Sequence, residues 1–231
     1  IHWGGMSDPF QPLEREKGLS LKVLKLFRET QYPFIVSTKN KLIADGEYFD
    51  EITKCNCVVQ FSAISPKYDK IETGASTFAE RIEAAKKIAA EGIRVNIRMQ
   101  PYTTQVLGDV LNEIPMLAEI GVHGIILDVI KYFKKQPGFI QIGGDYCYPI
   151  ERLKRDFEKI RDKAHEYGLK FYSGENRLRQ MGDDTCCCGV DGMGWKTNKV
   201  NLLNALIGNH LEYTETMKKP GTAMAYRNGL M

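Results

Sequence analysis

The chain has 231 residues, 43% hydrophobic and 26% charged, the balance of a soluble globular protein with room for one substantial core. Its net charge of +3, from 32 basic and 29 acidic residues, is too even to argue from charge alone for nucleic acid or an anionic membrane. No apolar run is long enough to span a bilayer and no charged-then-apolar signal segment opens the chain, so the expectation is a cytoplasmic protein with no membrane partner.

The opening stretch reads Trp3-Gly4-Gly5-Met6-Ser7-Asp8-Pro9-Phe10-Gln11-Pro12-Leu13-Glu14. Two glycines permit close backbone approach to a ligand, Ser7 and Asp8 add polar groups, and Pro9 and Pro12 stiffen the exit. On spacing alone an ordinary strand-to-helix connection explains it at least as well as a ligand loop. Residues 19–30 follow as an amphipathic helix, with Leu21, Leu24 and Phe27 on its apolar stripe. Residues 33–38 predict a short buried strand ending at Lys39, 47–53 a short helix, and 56–62 the next strand. Residues 77–91 predict a strong helix capped by Gly92, 93–100 a strand, 106–120 a helix stopped by Gly121, and 122–129 a strand. A long helix over 149–167 stops at Gly168, and a last strand covers 169–172.

This alternation predicts an α/β fold on a parallel sheet. An open doubly wound sheet and a barrel fit the pattern equally. No Gly-x-Gly-x-x-Gly opens a helix, which counts against a dinucleotide-binding sheet. In strand 93–100, Ile93, Val95, Ile97 and Met99 share one face, and Arg94, Asn96, Arg98 and Gln100 the other. A parallel strand covered on both sides should be apolar on both. The polar face therefore points either to a barrel interior holding a charged ligand or to an exposed edge. Functional groups of α/β barrels sit at the C-terminal ends of strands. Those ends carry Ser7, Asp8, Lys39, Ser62, Arg98, Gln100 and Asp128.

Residues 3–14 resemble the loop after the second barrel strand in radical S-adenosylmethionine enzymes of the spore photoproduct lyase-like group. The pattern there is approximately Gly-x-x-(Ser/Thr)-Asp-Pro-(Phe/Tyr)-Gln-Pro-x-Glu. Ser37-Thr38-Lys39 resembles that group's Thr-Lys at the end of strand three, and Phe61-Ser62-Ala63-Ile64 its Phe-Ser-Ile after strand four. Ile71-Glu72-Thr73-Gly74 resembles its Glu-Pro-Gly stretch, with Thr73 in place of proline, and Arg81 matches the arginine that follows. The likeness covers residues 3–101 well and is looser up to Asp128. It implies a partial TIM-type (β/α) barrel over 1–173, beginning near strand two, with a cysteine-containing extension over 174–231. It also implies a chain that is a fragment or processed form.

The implied cofactors are S-adenosylmethionine and a [4Fe–4S] cluster whose Cys-x-x-x-Cys-x-x-Cys ligands this chain does not carry. Gly4, Gly5, Met6, Ser7 and Asp8 correspond to the loop whose backbone holds the methionine amino group. Lys39 and Ser62 correspond to carboxylate binders, and Arg98 joins them as a cofactor contact. Glu72, Arg81 and Asp128 are loop or ligand contacts, with an ion pair between Glu72 and Arg81 as the equal alternative. The implied activity is reductive cleavage of S-adenosylmethionine to a 5′-deoxyadenosyl radical, with flavodoxin or ferredoxin as electron donor and a nucleic acid as candidate substrate. The hydrogen-returning cysteine of true photoproduct lyases is replaced here by Gly4-Gly5-Met6.

Cys55 and Cys57, two residues apart on one strand face opposite Ser62, are expected to pack. Cys147 and the run Cys186-Cys187-Cys188 are candidates for an auxiliary iron–sulfur or zinc site, for a substrate-facing thiol, or for idle thiols in a glycine-rich loop. His2, His123, His165 and His210 have no metal-ligand spacing, and His165 is expected to be solvated. Lys131, Tyr132, Phe133, Lys134 and Lys135 form a basic aromatic loop, read as solvated before nucleic-acid-binding. Leu202, Leu203 and Leu206 carry a helix pattern, and 221–231 is expected to be disordered. The rival readings are a non-catalytic remnant or binding module on the same scaffold, and a metal-dependent hydrolase using Asp8, Asp128 and the cysteine tail.

Overall fold

The computed structural model describes residues 1–195; the helix expected at Leu202–Leu206, His210 and the 221–231 end lie outside the described residues. Six parallel strands form an open sheet: β1 (His2–Trp3), β2 (Phe34–Thr38), β3 (Cys57–Ser62), β4 (Arg94–Tyr102), β5 (Gly124–Val129) and β8 (Lys170–Ser173). They lie side by side in chain order. A doubly wound sheet would reverse direction at a switch point. Here every crossover runs the same way, which puts the connecting helices on one face, as in an unclosed barrel. The helices are α1 (Glu14–Lys17), α2 (Leu19–Thr30), α3 (Gly46–Ile52), α4 (Phe78–Ala90), α5 (Leu107–Glu119) and α6 (Ile150–Glu166). A short antiparallel hairpin, β6 (Ile140–Ile142) with β7 (Asp145–Cys147), interrupts the crossover from β5 to α6. No apolar periodicity announced it, because all of β6 is exposed.

Alternation along each strand divides the residues between two faces. Phe34, Val36, Val59, Phe61, Val95, Ile97 and Met99 join the main core beneath the helices, with Leu24, Ile88, Ile114 and Phe157. The opposite, inner face carries Ser37, Gln60 and Asn96, which are adjacent in register across β2, β3 and β4. Gln60 and Asn96 are 0% exposed. Because β4 lies between β3 and β5, its polar face is interior and the exposed-edge explanation is excluded.

That interior is filled lower down by the chain itself. Residues 183–195 run across the inner face as a strap. Gln60 Nε2 donates to the Cys188 carbonyl (2.8 Å) and Asn96 Nδ2 to the Gly189 carbonyl (3.2 Å). Arg94 donates to the carbonyls of Gly189 and Asp191, at 3.2 and 2.6 Å. Tyr172 hydroxyl donates to Asp191 (2.6 Å), and Trp195 Nε1 reaches Asn56 at 3.1 Å. Gly189, at φ +63°, sits so close that a Cβ would lie 2.5 Å from Asn96 Nδ2. A charged ligand for the whole polar face of β4, one of the two sequence expectations, is therefore corrected: Arg94 and Asn96 serve the strap, and only Arg98 and Gln100 face the cavity described below.

Another local expectation is corrected too. Cys55 lies in the turn before β3, with its thiol against the carbonyls of Glu51 and Leu24, and only Cys57 is on the strand. Both still pack against the main core. His165 is exposed, as expected, and its Nε2 also pairs with Asp183 at 2.8 Å where the strap begins.

Helix α4 shows how local sequence fixes an element. Thr77 caps its N-terminus: Oγ1 accepts from the Glu80 amide (3.3 Å), while the Thr77 amide donates to Glu80 Oε2 (2.9 Å). The Lys41 ammonium, 2.6 Å away, and then the Thr77 amide lower the Glu80 carboxyl to about 2. A depressed carboxyl stabilises the fold fully above its unfolded value and loses that contribution as pH falls through the folded one. We predict that Thr77→Ala lowers stability by about 1 kcal/mol in urea titration at neutral pH. In Glu80→Gln, the acid-induced loss of stability between pH 4.5 and about 2 should be shallower than in the wild type.

Candidate functional site

A cavity of about 320 Å³ opens at the C-terminal ends of β1 to β4. Its wall contains all eight residues singled out as cofactor contacts: Gly4, Gly5, Met6, Ser7, Asp8, Lys39, Ser62 and Arg98. His2, Ser37, Thr38 and Gln100 complete it.

Asp8 anchors the opening loop. Its Oδ1 accepts from the Phe10 amide (2.8 Å) and Thr38 Oγ1 (2.8 Å), and its Oδ2 from the Lys39 amide (2.6 Å). The carboxylate thus staples the loop to the end of β2 and presents the Gly4–Ser7 backbone beside it. Gly4, at φ +89°, is required here: a Cβ would lie 2.1 Å from the Ser37 carbonyl oxygen. Gly5 is less constrained, with its closest neighbour, His2, at 3.8 Å. Met6 is fully exposed at the loop tip.

Lys39 and Arg81 both pair with Glu72, at 2.5 and 2.6 Å. Arg81, buried beneath, also donates to the carbonyls of Ser76 (2.7 Å) and Ser62 (2.8 Å). Of the two readings for Glu72 and Arg81, the geometry is that of the ion pair: they brace the ends of β2 and β3, and neither lines the cavity. Lys39 has three ammonium N–H groups and gives one to Glu72. Ser62 Oγ donates to the Gln100 carbonyl at 3.1 Å, leaving its lone pairs free.

Arg98 stands at the cavity floor. It pairs with Asp128 and donates to Gln100 Oε1 (2.6 Å), while its buried Nη1 has no hydrogen-bond partner. An unpartnered guanidinium nitrogen is costly unless an acceptor meets it. His2 Nε2 lies 2.7 Å from Ser37 Oγ, which donates to Gln60 Oε1 at 3.0 Å. Burial and then the Arg98 charge lower the His2 pKa. Sequence reasoning missed His2, although its spacing of two from Gly4 puts both on the inward face of the same strand end.

Beyond Arg98 lies a second cavity of about 540 Å³, lined by Gln100, Asp128, Lys131, Asn176, Arg179 and Cys187 among others. Lys131, one of its lining residues, is exposed, as are Lys134, Lys135 and Phe133 in the loop that follows, Phe133 at 90%. Cys186, Cys187 and Cys188 lie on the strap, whereas Cys147 lies on β7, where burial raises its thiol pKa beside Arg177 and Glu175. Among the described residues no three His, Cys, Asp or Glu side chains gather into a set able to hold a metal ion. The structure does not assemble the four-thiol auxiliary site. The carboxylates of the hydrolase alternative are likewise engaged, Asp8 by the loop and Asp128 by Arg98.

No protein-family model matches the chain, and no curated protein does. Solved structures do. Spore photoproduct lyase complexed with dinucleoside spore photoproduct superposes at a TM-score of 0.57 and 16% identity, covering 73% of this chain and 58% of that one. A mutant of the same lyase with bound S-adenosylmethionine and the dinucleoside gives 0.57 and 16%, over 72% and 58%. Streptococcus suis SuiB bound to S-adenosylmethionine gives 0.52 and 16%, over 68% of this chain and 36% of that one. The chain spans 58% of the length of these lyase structures. With six parallel strands in chain order and one helical layer, the chain has the partial-barrel fold of radical S-adenosylmethionine enzymes.

Proposed function

We propose that the chain binds S-adenosylmethionine in the first cavity and belongs to an enzyme that uses it for radical chemistry. The observation that carries this reading is the convergence of the eight residues on one cavity, with the unpartnered Arg98 Nη1 at its floor. The volume suits a small polar ligand. The free N–H groups of Lys39 and the Arg98 guanidinium would take the methionine carboxylate, and Ser62 would stand beside it. The backbone of Gly4 to Met6, held by Asp8, would hold the amino group. S-adenosylmethionine supplies the radical chemistry when bound beside a reducing iron–sulfur cluster. The described residues hold no ligand set that fits such a cluster, and on this reading its ligands lie outside them. The protein's own part is to fix the cofactor's polar end against the rim of β1 to β4 and to hold substrate next to it. Exposed Lys131 at the second cavity, with exposed Phe133, Lys134 and Lys135 in the loop that follows it, suits a nucleic-acid substrate, with lysines for phosphates and a ring for base stacking.

In calorimetric titration the chain should bind S-adenosylmethionine, and Arg98→Gln, which also leaves Asp128 without its counter-charge and so lowers the melting temperature, should weaken binding by about tenfold or more at a temperature where circular dichroism shows the variant folded. No heat of binding by the wild type, together with salt-dependent binding of single-stranded DNA, would favour the non-catalytic module. Glu72→Ala tests the bracing role separately. It leaves buried Arg81 without its counter-charge and should cost about 3–5 kcal/mol in urea unfolding. A change in cofactor affinity at unchanged stability would instead make Glu72 a ligand contact.

A further inference from the structure

None of the three consecutive thiols lines the first cavity, yet one of them lines the second. Cys187 lies in the wall of the second cavity, with Arg179, Lys131 and Asn176 as neighbouring lining residues. Its Sγ is 3.5 Å from that of Cys188. The turn carrying them is fixed from behind. Gln60 donates to the Cys188 carbonyl at 2.8 Å, and the Cys186 amide donates to Asp184 at 2.6 Å. The Cys188 amide points at Cys186 Sγ, 3.3 Å away. A dithiol is thus held on a rigid base, with Cys187 in the wall of a roomy pocket that also carries Arg179 and Lys131, and Asp128 already paired with Arg98.

We propose that Cys187 and Cys188 form a thiol–disulfide exchange centre that reduces small anionic disulfides admitted to the second cavity. Cys187 is the attacking sulfur, because it lines the cavity. Its thiolate forms a bond to one sulfur of the disulfide and the S–S bond breaks, so that one thiolate leaves and takes up the Cys188 proton. The Cys188 thiolate then attacks the Cys187 sulfur of the mixed disulfide and expels the second thiolate. The substrate gains two electrons, and the protein keeps a Cys187–Cys188 disulfide. The reaction needs no other oxidant, and a dithiol reductant resets it.

The surroundings agree with these roles. The hydrogen bond from Cys188, and then Arg179 and Arg98, lower the Cys187 pKa to about 5 despite its burial. Hydrogen bonding to Cys186 and then to Cys187, with burial, raises that of Cys188, which keeps its proton for the leaving group. A thiolate beside arginines is the reactive form. Adjacent cysteines have Cα atoms about 3.8 Å apart, closer than the ~4.4–6.8 Å of relaxed disulfides, so the ring formed is strained and its potential high: the centre is easily reset and reduces only disulfides of still higher potential, such as those with stabilised aromatic thiolates as leaving groups. Arg179 and Lys131 would select disulfides bearing carboxylates.

The test uses the reduced full chain under anaerobic conditions. It is mixed in stopped flow with the dianionic 5,5′-dithiobis(2-nitrobenzoate) or the neutral 2,2′-dithiodipyridine, followed by intact mass and peptide mapping. The expected result is a fast phase releasing about two equivalents of thiolate and leaving a Cys187–Cys188 disulfide. Cys188→Ser, or Cys188→Ala where serine perturbs folding, should stop after about one equivalent, with the adduct on Cys187. Arg179→Gln should slow the anionic reagent by about tenfold relative to the neutral one. First labelling at Cys186 or Cys147, a full second equivalent from both Cys188 variants, or an unchanged anionic-to-neutral ratio in Arg179→Gln would each overturn the proposal. None of these readouts needs S-adenosylmethionine or a cluster, so failure here leaves the cofactor reading standing, and the reverse.

Discussion

The structure turns on a row of polar side chains on the sheet's inner face, of which Gln60 and Asn96 are fully buried. Ser37, Gln60 and Asn96 stand next to one another across three parallel strands, on the face that no helix covers. Amide side chains taken out of water must find partners or cost about 1–3 kcal/mol each. The strap supplies them as backbone carbonyls at Cys188, Gly189 and Asp191, which Gln60, Asn96 and Arg94 take up. A peptide segment can satisfy a sheet's inner face in this way only if the face offers donors and the segment can come close. The amides supply the donors, and Gly189 permits the approach. An open sheet thereby buries its second face without closing into a full barrel.

What the strap leaves uncovered becomes the site. Above the polar row, Ser62 and Arg98 are adjacent in register, followed by Gln100, and all three line the first cavity. Its walls are held by two fixed devices. Asp8 spends its carboxylate on the end of β2, and the charge run Lys39–Glu72–Arg81 joins β2, the loop after β3 and α4. The polar groups facing the opening are therefore positioned before any ligand arrives, which reduces the ordering cost of binding. The Arg98–Asp128 pair stands between the first cavity and the second, so ligands in the two would meet across one guanidinium.

Much of this was legible in the residues. Helix 19–30 matches its sequence boundaries, because its apolar stripe and the turn after it are both local signals. The residues that line the first cavity were singled out through the resemblance of residues 3–14 and the two strand-end motifs, and they do share one cavity. The strap was not legible. Nothing in Cys186–Trp195 is periodic, and its contacts with Gln60 and Asn96 span more than ninety residues of sequence. The destination of Arg94 was hidden for the same reason: an alternating strand shows which side chains share a face, but not what covers it. The choice between a singly and a doubly wound sheet was also out of reach, since strand order is a tertiary fact.

The central claim is that the opening loop and the ends of β2 to β4 form one ligand site above the strap. Amide hydrogen exchange on the intact chain, with and without S-adenosylmethionine, addresses it most directly. The account predicts added protection at residues 4–8, 37–39, 62–63 and 98–100, with the strap at 186–191 unchanged. Protection confined to the strap or to the loop at 131–135, or none at saturating ligand, would contradict it.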